Sequence, residues 1–244
     1  MNLTLTSATA RRVLTQLRRD HRTLAMLLVV PSVLMSLLAW IFESSATFDR
    51  IGAPLLGIFP FIVMFLVTSV ATLRERTSGT LERLLTMPLA KADLLVGYGL
   101  AFGLVAMLQG TITATVALNL LGLEVAGPPW LLVTVAVLDA LLGTALGLLV
   151  SAFAATEFQA VQFMPVFVLP QLLLCGLLVP REQLDPILNA VSDALPLSYA
   201  VDAMSSVTSQ AGVASEVLID LGIIAGCVAL ALALAAATLR RRTA

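Results

Sequence analysis

Charged residues are scarce in this sequence. Asp, Glu, Lys and Arg together make up 12% of its 244 residues, whereas hydrophobic residues make up 59%. A soluble domain is about a quarter charged and about half apolar. The composition therefore excludes a soluble globular protein and predicts an integral membrane protein.

Residue types that carry chemistry are scarce as well. The two cysteines, Cys175 and Cys227, both fall in apolar segments, which argues against a disulfide framework. The one histidine, His21, has no Cys, His or acidic cluster beside it, so neither a metal site nor a catalytic base is predicted. Lys91 is the only lysine and does not belong to a Gly-x-x-x-x-Gly-Lys-Ser/Thr loop. We expect no catalytic residue, no metal and no cofactor on this chain.

Long apolar segments dominate the chain instead. A helix needs about 20 mostly apolar residues to cross the hydrocarbon core of a bilayer. Six segments meet this requirement, at residues 24–42, 51–73, 94–123, 131–153, 158–179 and 217–239. The sequence therefore predicts an all-α membrane domain over 1–244, with a third span long enough to be tilted or broken near Gln109 and Gly110.

The basic residues predict the orientation. Twelve of the 14 lie before the first predicted span, between the second and third, or after the last, and only Arg50 and Arg181 lie in the other loops. Because Lys and Arg collect in cytoplasmic loops, we expect both termini in the cytoplasm. Arginine outnumbers lysine 13 to 1, which is typical of a high-GC bacterial genome and favours a bacterial cytoplasmic membrane.

Residues 7–23 form a basic, amphipathic stretch before the first span. Val13, Leu14 and Leu17 share one helical stripe among arginines. Such a helix can lie in the headgroup layer and bind membrane lipid, with its leucines in the acyl boundary. The alternative is an ordinary basic segment that only sets the topology.

Residues 74–88 form a charged helical segment between the second and third spans. Gly79 can cap a new helix that Pro88 ends, and Leu81, Leu84 and Leu85 share one face of it. An exposed leucine edge of this kind favours a partner protein, and the alternative is that it rests on the bilayer.

The order of residues in this segment resembles a motif of the ABC type-2 transport permeases. Glu75, Arg76, Gly79, Thr80, Glu82, Leu84, Leu85 and Pro88 match it in type and spacing. Residues 195–204, with their Pro-Leu-Ser-Tyr sequence, and residues 163–180 are similar to two further segments of the family, although Cys175 stands where many relatives carry serine. The similarity is greatest to the daunorubicin-type drug-export permeases.

The resemblance implies a permease subunit that pairs with a second permease, as a homodimer, and docks two ATP-binding cassette subunits that bind ATP and Mg. The coupling helix, residues 74–88, would contact those subunits. Its implied contact residues are Glu75, Arg76, Gly79, Thr80, Leu81, Glu82, Leu84, Leu85 and Pro88. Nucleic acid is not among the expected partners.

Residues 180–216 lie between the fifth and sixth spans and are too apolar for a plain loop. Asp185 with Pro186, and then Pro196, can each start a short helix. We expect two re-entrant helices, which in relatives form an outer gate that would include Pro196, Tyr199 and Asp202. The alternative is two amphipathic helices that lie flat on the surface.

Polar side chains inside the spans are candidates for a translocation path. The candidates are Gln109, Asp139, Gln159, Gln162 and Gln171. A carboxylate near the bilayer centre is costly, so Asp139 serves a cationic substrate or a proton, or only bonds a neighbouring helix. The glutamines likewise line a path or tie helices together.

The sequence thus predicts the membrane subunit of an ATP-driven exporter for hydrophobic or amphipathic small molecules such as drugs, antibiotics or lipids. Exporters of polysaccharide, polyol phosphate or glycolipid share much of the pattern. The other function classes are a proton-coupled transporter that uses Asp139, and a membrane scaffold or insertase without a substrate.

Overall fold

The computed structural model describes residues 3–42, 45–78 and 91–238, and within these ranges the regular structure is entirely helical. The α-helices are α1 (Leu3–Arg19), α2 (His21–Ile41), α3 (Ser45–Thr77), α4 (Lys91–Asn119), α5 (Pro129–Ser151), α6 (Glu157–Leu174), α7 (Pro186–Asp193), α8 (Pro196–Ser209) and α9 (Ser215–Thr238). A short 3₁₀ turn, Arg181–Gln183, precedes α7.

Six of these helices are long and apolar enough to cross a membrane, which confirms the predicted number of spans. They are α2, most of α3, most of α4, α5, α6 and α9. The third span differs from one expectation, because α4 is a continuous helix through Gln109 and Gly110. A Cβ on Gly110 would lie 3.3 Å from a side-chain atom of Val137, so this glycine accommodates the close approach of α5 and does not break the helix.

Three spans form the centre of the bundle and three lie around it. In α3, α4 and α5, between 56% and 61% of the apolar stretch that would cross the membrane is buried inside the protein. In α2, α6 and α9, only 17% of that stretch is buried. The outer three helices therefore present most of their surface to lipid or to a partner chain.

Contact between α3 and α5 is the closest packing in the centre. A Cβ on Gly57 would contact Asp139, and Cβ atoms on Gly143 and Gly147 would overlap the carbonyl oxygens of Phe61 and Phe65. From one contact to the next, the residue number rises by four on both helices, so α3 and α5 run in the same direction. This is the direction expected for the second and fourth of six successive membrane spans. Glycine on α5 lets the backbone of α3 approach directly.

The two ends of the bundle differ in charge. We call one the basic end, because it holds α1 and the last turns of α3, with Arg11, Arg12, Arg18, Arg19, Arg74 and Arg76. We call the other the acidic end, because it holds the 3₁₀ turn, α7 and α8, with Glu182, Asp185, Asp193 and Asp202.

Helix α1 lies against α4 at the basic end. Ala10, Val13 and Leu17 are buried in one cluster with residues of α4. A Cβ on Gly97 would lie only 2.7 Å from Cβ of Thr9. Helix α1 can therefore pack this closely on α4 because Gly97 has no side chain. Most of the apolar stripe that we expected in the acyl boundary is thus covered by protein.

Candidate functional site

Three consecutive residues at the end of α3 contact three different helices. Arg74 donates to Glu157 of α6 at 3.0 and 3.2 Å, and Glu75 accepts from Arg12 of α1 at 2.9 and 3.2 Å. Arg76 donates to the carbonyl oxygen of Ser151 at the end of α5. Successive residues point about 100° apart around a helix, so neighbours in sequence reach different partners. Any displacement of residues 74–76 therefore acts on α1, α5 and α6 together.

Arg12 extends this network to α4. Its Nη2 also donates to the hydroxyl of Tyr98 at 2.8 Å, and its guanidinium lies 5.8 Å from the centre of the tyrosine ring. The side chains of Arg12 and Glu75 are 28% and 14% exposed, whereas those of Arg74 and Glu157 are 63% and 49% exposed. Because water and salt screen an exposed pair, the Arg12 pair is the stronger of the two.

The remaining residues of the coupling helix lie outside the described residues. These are Gly79, Thr80, Leu81, Glu82, Leu84, Leu85 and Pro88. The structure thus describes Glu75 and Arg76 of this predicted set, at its junction with α3.

A groove of about 580 Å³ lies beside this network. Its apolar lining comes from α1, α2 and α3, and includes Val13, Met26, Val30, Val63, Leu66 and Val67. Tyr98 and Phe102 of α4, which also line the groove, are nearly covered and pack against each other with ring centres 6.4 Å apart. Asp20, Arg74 and Glu75 place charge at its basic end. An apolar groove with a few polar groups at one end suits an amphipathic ligand.

Asp20 has a structural role at this polar margin. Its carboxylate caps α2 by accepting from the backbone N–H of Thr23 at 3.1 Å and from the Thr23 hydroxyl at 2.7 Å. These two hydrogen bonds favour the charged form and lower the pKa of Asp20. The margin of the groove therefore keeps a negative charge at neutral pH.

The structure does not bring the five candidate path residues together. Gln159 caps the start of α6, where its Oε1 accepts from the N–H of Ala155 at 2.8 Å, and Gln162 is exposed. Gln171 is buried toward the other end of α6, where its Oε1 accepts from the N–H of Leu197 at 3.4 Å.

Gln109 and Asp139 are fully buried in the centre of the bundle. Neither the amide atoms of Gln109 nor the carboxyl oxygens of Asp139 have a hydrogen-bond partner among the described residues. Buried polar groups are normally paired, so these two need a further explanation.

One arginine holds the acidic end together. Arg181 pairs with Asp193 at the end of α7 and with Asp202 on α8, and its guanidinium lies 5.6 Å from the ring centre of Tyr199. Tyr199 in turn donates to the carbonyl oxygen of Asp193 at 2.7 Å. Burial raises the pKa of Asp202, and the charge of Arg181 partly opposes this shift.

Two of the three candidate gate residues, Tyr199 and Asp202, thus belong to this cluster, while Pro196 occupies the first turn of α8. Sequence reasoning missed Arg12, Tyr98 and Arg181 as contact residues. The only signal for Arg181 was its position as a lone basic residue among the acids of its loop. Arg12 carried no signal, because four other arginines surround it in the same segment.

Comparison with known proteins gives relatives of one kind. The family model described as "ABC-2 type transporter" matches residues 4–208. The probable multidrug ABC transporter permease YbhR of Escherichia coli K12 is 30% identical over 148 residues, which are 61% of this chain and 40% of YbhR. The linearmycin resistance permease protein LnrN of Bacillus subtilis 168 is 24% identical over 181 residues, which are 74% of this chain and 47% of LnrN.

A third relative, the probable multidrug ABC transporter permease YbhS of Escherichia coli K12, is 25% identical over 146 residues, which are 59% of this chain and 39% of YbhS. The chain spans less than half the length of these curated relatives that it matches. The family model nevertheless covers most of the chain, and six apolar helices make it a multi-pass protein of the cell membrane. The chain belongs to the ABC-2 type transporter family.

Proposed function

We propose that this chain is the permease subunit of an ATP-driven exporter that moves hydrophobic or amphipathic small molecules outward across the cytoplasmic membrane. The basic end would face the cytoplasm, as the distribution of arginine favours. Energy would come from ATP and Mg bound by two separate ATP-binding cassette subunits, so the chain itself is a transport component and not an enzyme.

The groove at the basic end is the observation that carries this proposal. Its volume of about 580 Å³ lies in the range of sites for small molecules, about 300 to 1,000 Å³. Met26 of α2 and Val161 of α6, which line it, are 63% and 47% exposed, so its sides open toward the membrane. A molecule that partitions into the inner leaflet can enter there with its polar group beside Asp20 and Arg74.

The same groove disfavours a polysaccharide as substrate. Sugar recognition uses exposed aromatic faces and many hydrogen-bonding groups. Here the two aromatic residues, Tyr98 and Phe102, are 2% and 1% exposed, and the rest of the lining is mainly aliphatic. An amphipathic drug, antibiotic or lipid fits this surface better.

A second copy of the chain is the proposed partner within the membrane. Helices α2 and α6 flank the groove, and only 17% of the spanning stretch of each is buried. Each helix therefore exposes a face that is as long as a membrane span. A homodimer that covers these faces would place the groove beside the dimer interface.

The network around residues 74–76 supports coupling to the ATP-binding subunits. We propose that these subunits push on the coupling helix, and that Arg74, Glu75 and Arg76 pass the displacement to α6, α1 and α5. Helices α1 and α6 both line the groove, so a push at this point would change its shape.

The test is transport into inside-out vesicles that contain the chain and the ATP-binding subunits that copurify with it. Val67→Trp would fill the groove, and Leu230→Trp places the same residue on an exposed position of α9, away from the groove and from the proposed dimer faces. We expect ATP-dependent uptake of a lipophilic fluorescent dye to fall at least about tenfold in Val67→Trp and to persist in Leu230→Trp. Equal uptake by both variants would contradict the assignment of the groove, and uptake without ATP would contradict an ATP-driven permease.

A further inference from the structure

The charges at the polar margin of the groove are not all balanced. Arg74 is paired with Glu157 of α6 through two hydrogen bonds, at 3.0 and 3.2 Å. Glu75 is paired with Arg12 of α1 in the same way, at 2.9 and 3.2 Å. Asp20 also lines the groove, but the hydrogen bonds that it accepts from the described residues come from uncharged donors. The two ion pairs cancel, so the described margin carries one uncompensated negative charge.

The carboxylate of Asp20 can accept further hydrogen bonds. Its Oδ1 accepts from the backbone N–H of Thr23 and its Oδ2 from the Thr23 hydroxyl, so each oxygen uses one lone pair. A carboxylate offers about four lone-pair sites in all, and Asp20 is exposed. A protonated amine supplies both the positive charge and the N–H donors that this margin lacks.

The arginines near Asp20 do not replace such a partner. Arg74 forms its hydrogen bonds with Glu157, and its charge lowers the pKa of Asp20 less than the hydrogen bonds from Thr23 do. Arg19 and Arg22 flank Asp20 closely in the sequence, but both are exposed and neither lines the groove. Water and salt screen exposed charges over about 8 Å, so their effect inside the groove is weak.

The rest of the groove determines what the amine is attached to. The lining runs from Asp20 to Val30 on α2 and from Arg74 back to Val63 on α3. At 1.5 Å per residue, each of these stretches is about 15 Å long, with its charged residue at one end and aliphatic side chains beyond it. The groove therefore matches an apolar body of about this length that carries its polar group at one end.

We propose that Asp20 selects the ligand of the groove, and that this ligand is an amphiphile with a protonated amine at its polar end. The inference rests on the proposed function for the groove as a binding site and adds the charge of what binds there. A free amphipathic amine and an aminophospholipid of the inner leaflet share this chemistry.

The chain allows the charge of Asp20 to be removed without its cap. Asparagine is as good an N-cap as aspartate, so Asp20→Asn keeps an acceptor for Thr23 and loses only the charge. Gln16 lines the groove one helical turn earlier, where its carbonyl oxygen accepts from the N–H of Asp20 at 3.1 Å. Gln16→Glu in the Asp20→Asn chain therefore returns a carboxylate to the margin. Asp185→Asn makes the same change at the cap of α7 and is the control.

The measurement is binding of two dansyl-labelled probes to the purified full chain in a nonionic detergent at neutral pH. One probe is an alkyl amine, which is protonated there as a lysine side chain is, and the other is the alcohol of the same chain length. Dansyl fluorescence reports binding. Val67→Trp, which fills the groove, measures how much of each signal comes from partition into the micelle.

We expect the wild-type groove to bind the amine about fivefold more tightly than the alcohol, as for a favourable exposed ion pair. Asp20→Asn should lower this ratio to about one, Gln16→Glu should restore it, and Asp185→Asn should keep it. A ratio that is the same in Asp20→Asn and in the wild type would overturn the proposal and leave the groove assignment intact. Binding of both probes that Val67→Trp leaves unchanged would instead overturn the groove, and with it the proposed function.

The two sources of the amine are separated by repeating the amine titration in nanodiscs. Displacement of the amine probe by phosphatidylethanolamine, and not by phosphatidylglycerol with the same acyl chains, would assign the site to a membrane lipid. Displacement by neither lipid would support a free amine as the ligand. Equal displacement by both lipids would contradict the selection of an amine.

Discussion

The two ends of the molecule use the same contact for different purposes. Each end places an arginine over a tyrosine ring, Arg12 over Tyr98 at 5.8 Å and Arg181 over Tyr199 at 5.6 Å. Each arginine also pairs with a carboxylate. At both ends one side chain therefore joins three structural elements.

The difference lies in which elements are joined. Arg12 bonds to Glu75 and Tyr98, which are 63 and 86 residues away on two separate spans. Arg181 bonds to Asp193 and Asp202, which are 12 and 21 residues away in one continuous segment. The arginine of the basic end therefore ties spans to one another, whereas the arginine of the acidic end joins parts of a single segment of the chain.

The largest expected effect comes from forcing apart α3 and α5, the two closely packed central spans that run between the two ends. In Gly143→Leu a side chain would overlap the carbonyl oxygen of Phe61, so α3 and α5 must move apart. We expect the variant to lose about 3 kcal/mol of stability, as for a strong case of overpacking. Thermal unfolding in detergent measures this loss. Gly226→Leu on α9 is the matched control, since a Cβ there would meet no atom within 4 Å, and a similar loss in both variants would contradict the packing.

The second prediction concerns the basic end. A double-mutant cycle with Arg12→Met and Glu75→Gln should give a coupling energy of about 1.5 to 3 kcal/mol, because the pair is partly buried and hydrogen-bonded. The same cycle on Arg74 and Glu157, which are exposed, should give about 0.2 to 1 kcal/mol. Denaturation of the purified chain measures both. Equal coupling energies would mean that the Arg12 network does not tie the spans more firmly than a surface pair does.

The sequence predicted the six spans because each is a long apolar run whose length matches the bilayer, and it predicted the short helix starts at Asp185 and Pro186 from capping chemistry. It could not predict which helices are central, because apolar side chains that face lipid and those that face protein look alike. It also could not predict the partners of Arg12 and Arg181, since ion pairs across helices depend on the register of packing. The role of Gln159 as a cap was readable in principle, because Thr156 stands three residues before it.

The third prediction tests whether the acidic end is a separate unit. Arg181→Met removes both ion pairs and the contact with Tyr199, so amide hydrogen exchange in α7 and α8 should become about tenfold faster. Exchange in α1 and in the last turns of α3 should not change. Arg50→Met is the control for loss of an exposed arginine. Faster exchange at both ends would show that the two networks are coupled.

The smallest expected effect is the pH dependence of the acidic end. The pKa of Asp202 is raised in the packed state, mainly by burial, so the packed state binds its proton more tightly than the opened state does. Protection of α8 is therefore greatest below the ordinary pKa of about 3.9 and is lost as pH rises through the raised value. After correction for intrinsic exchange, amide exchange in α8 should accelerate over this interval by less than Arg181→Met produces. Asp202→Asn should remove that acceleration while Asp185→Asn, at the exposed cap of α7, keeps it. An acceleration that survives in Asp202→Asn would instead assign the linked proton to another group.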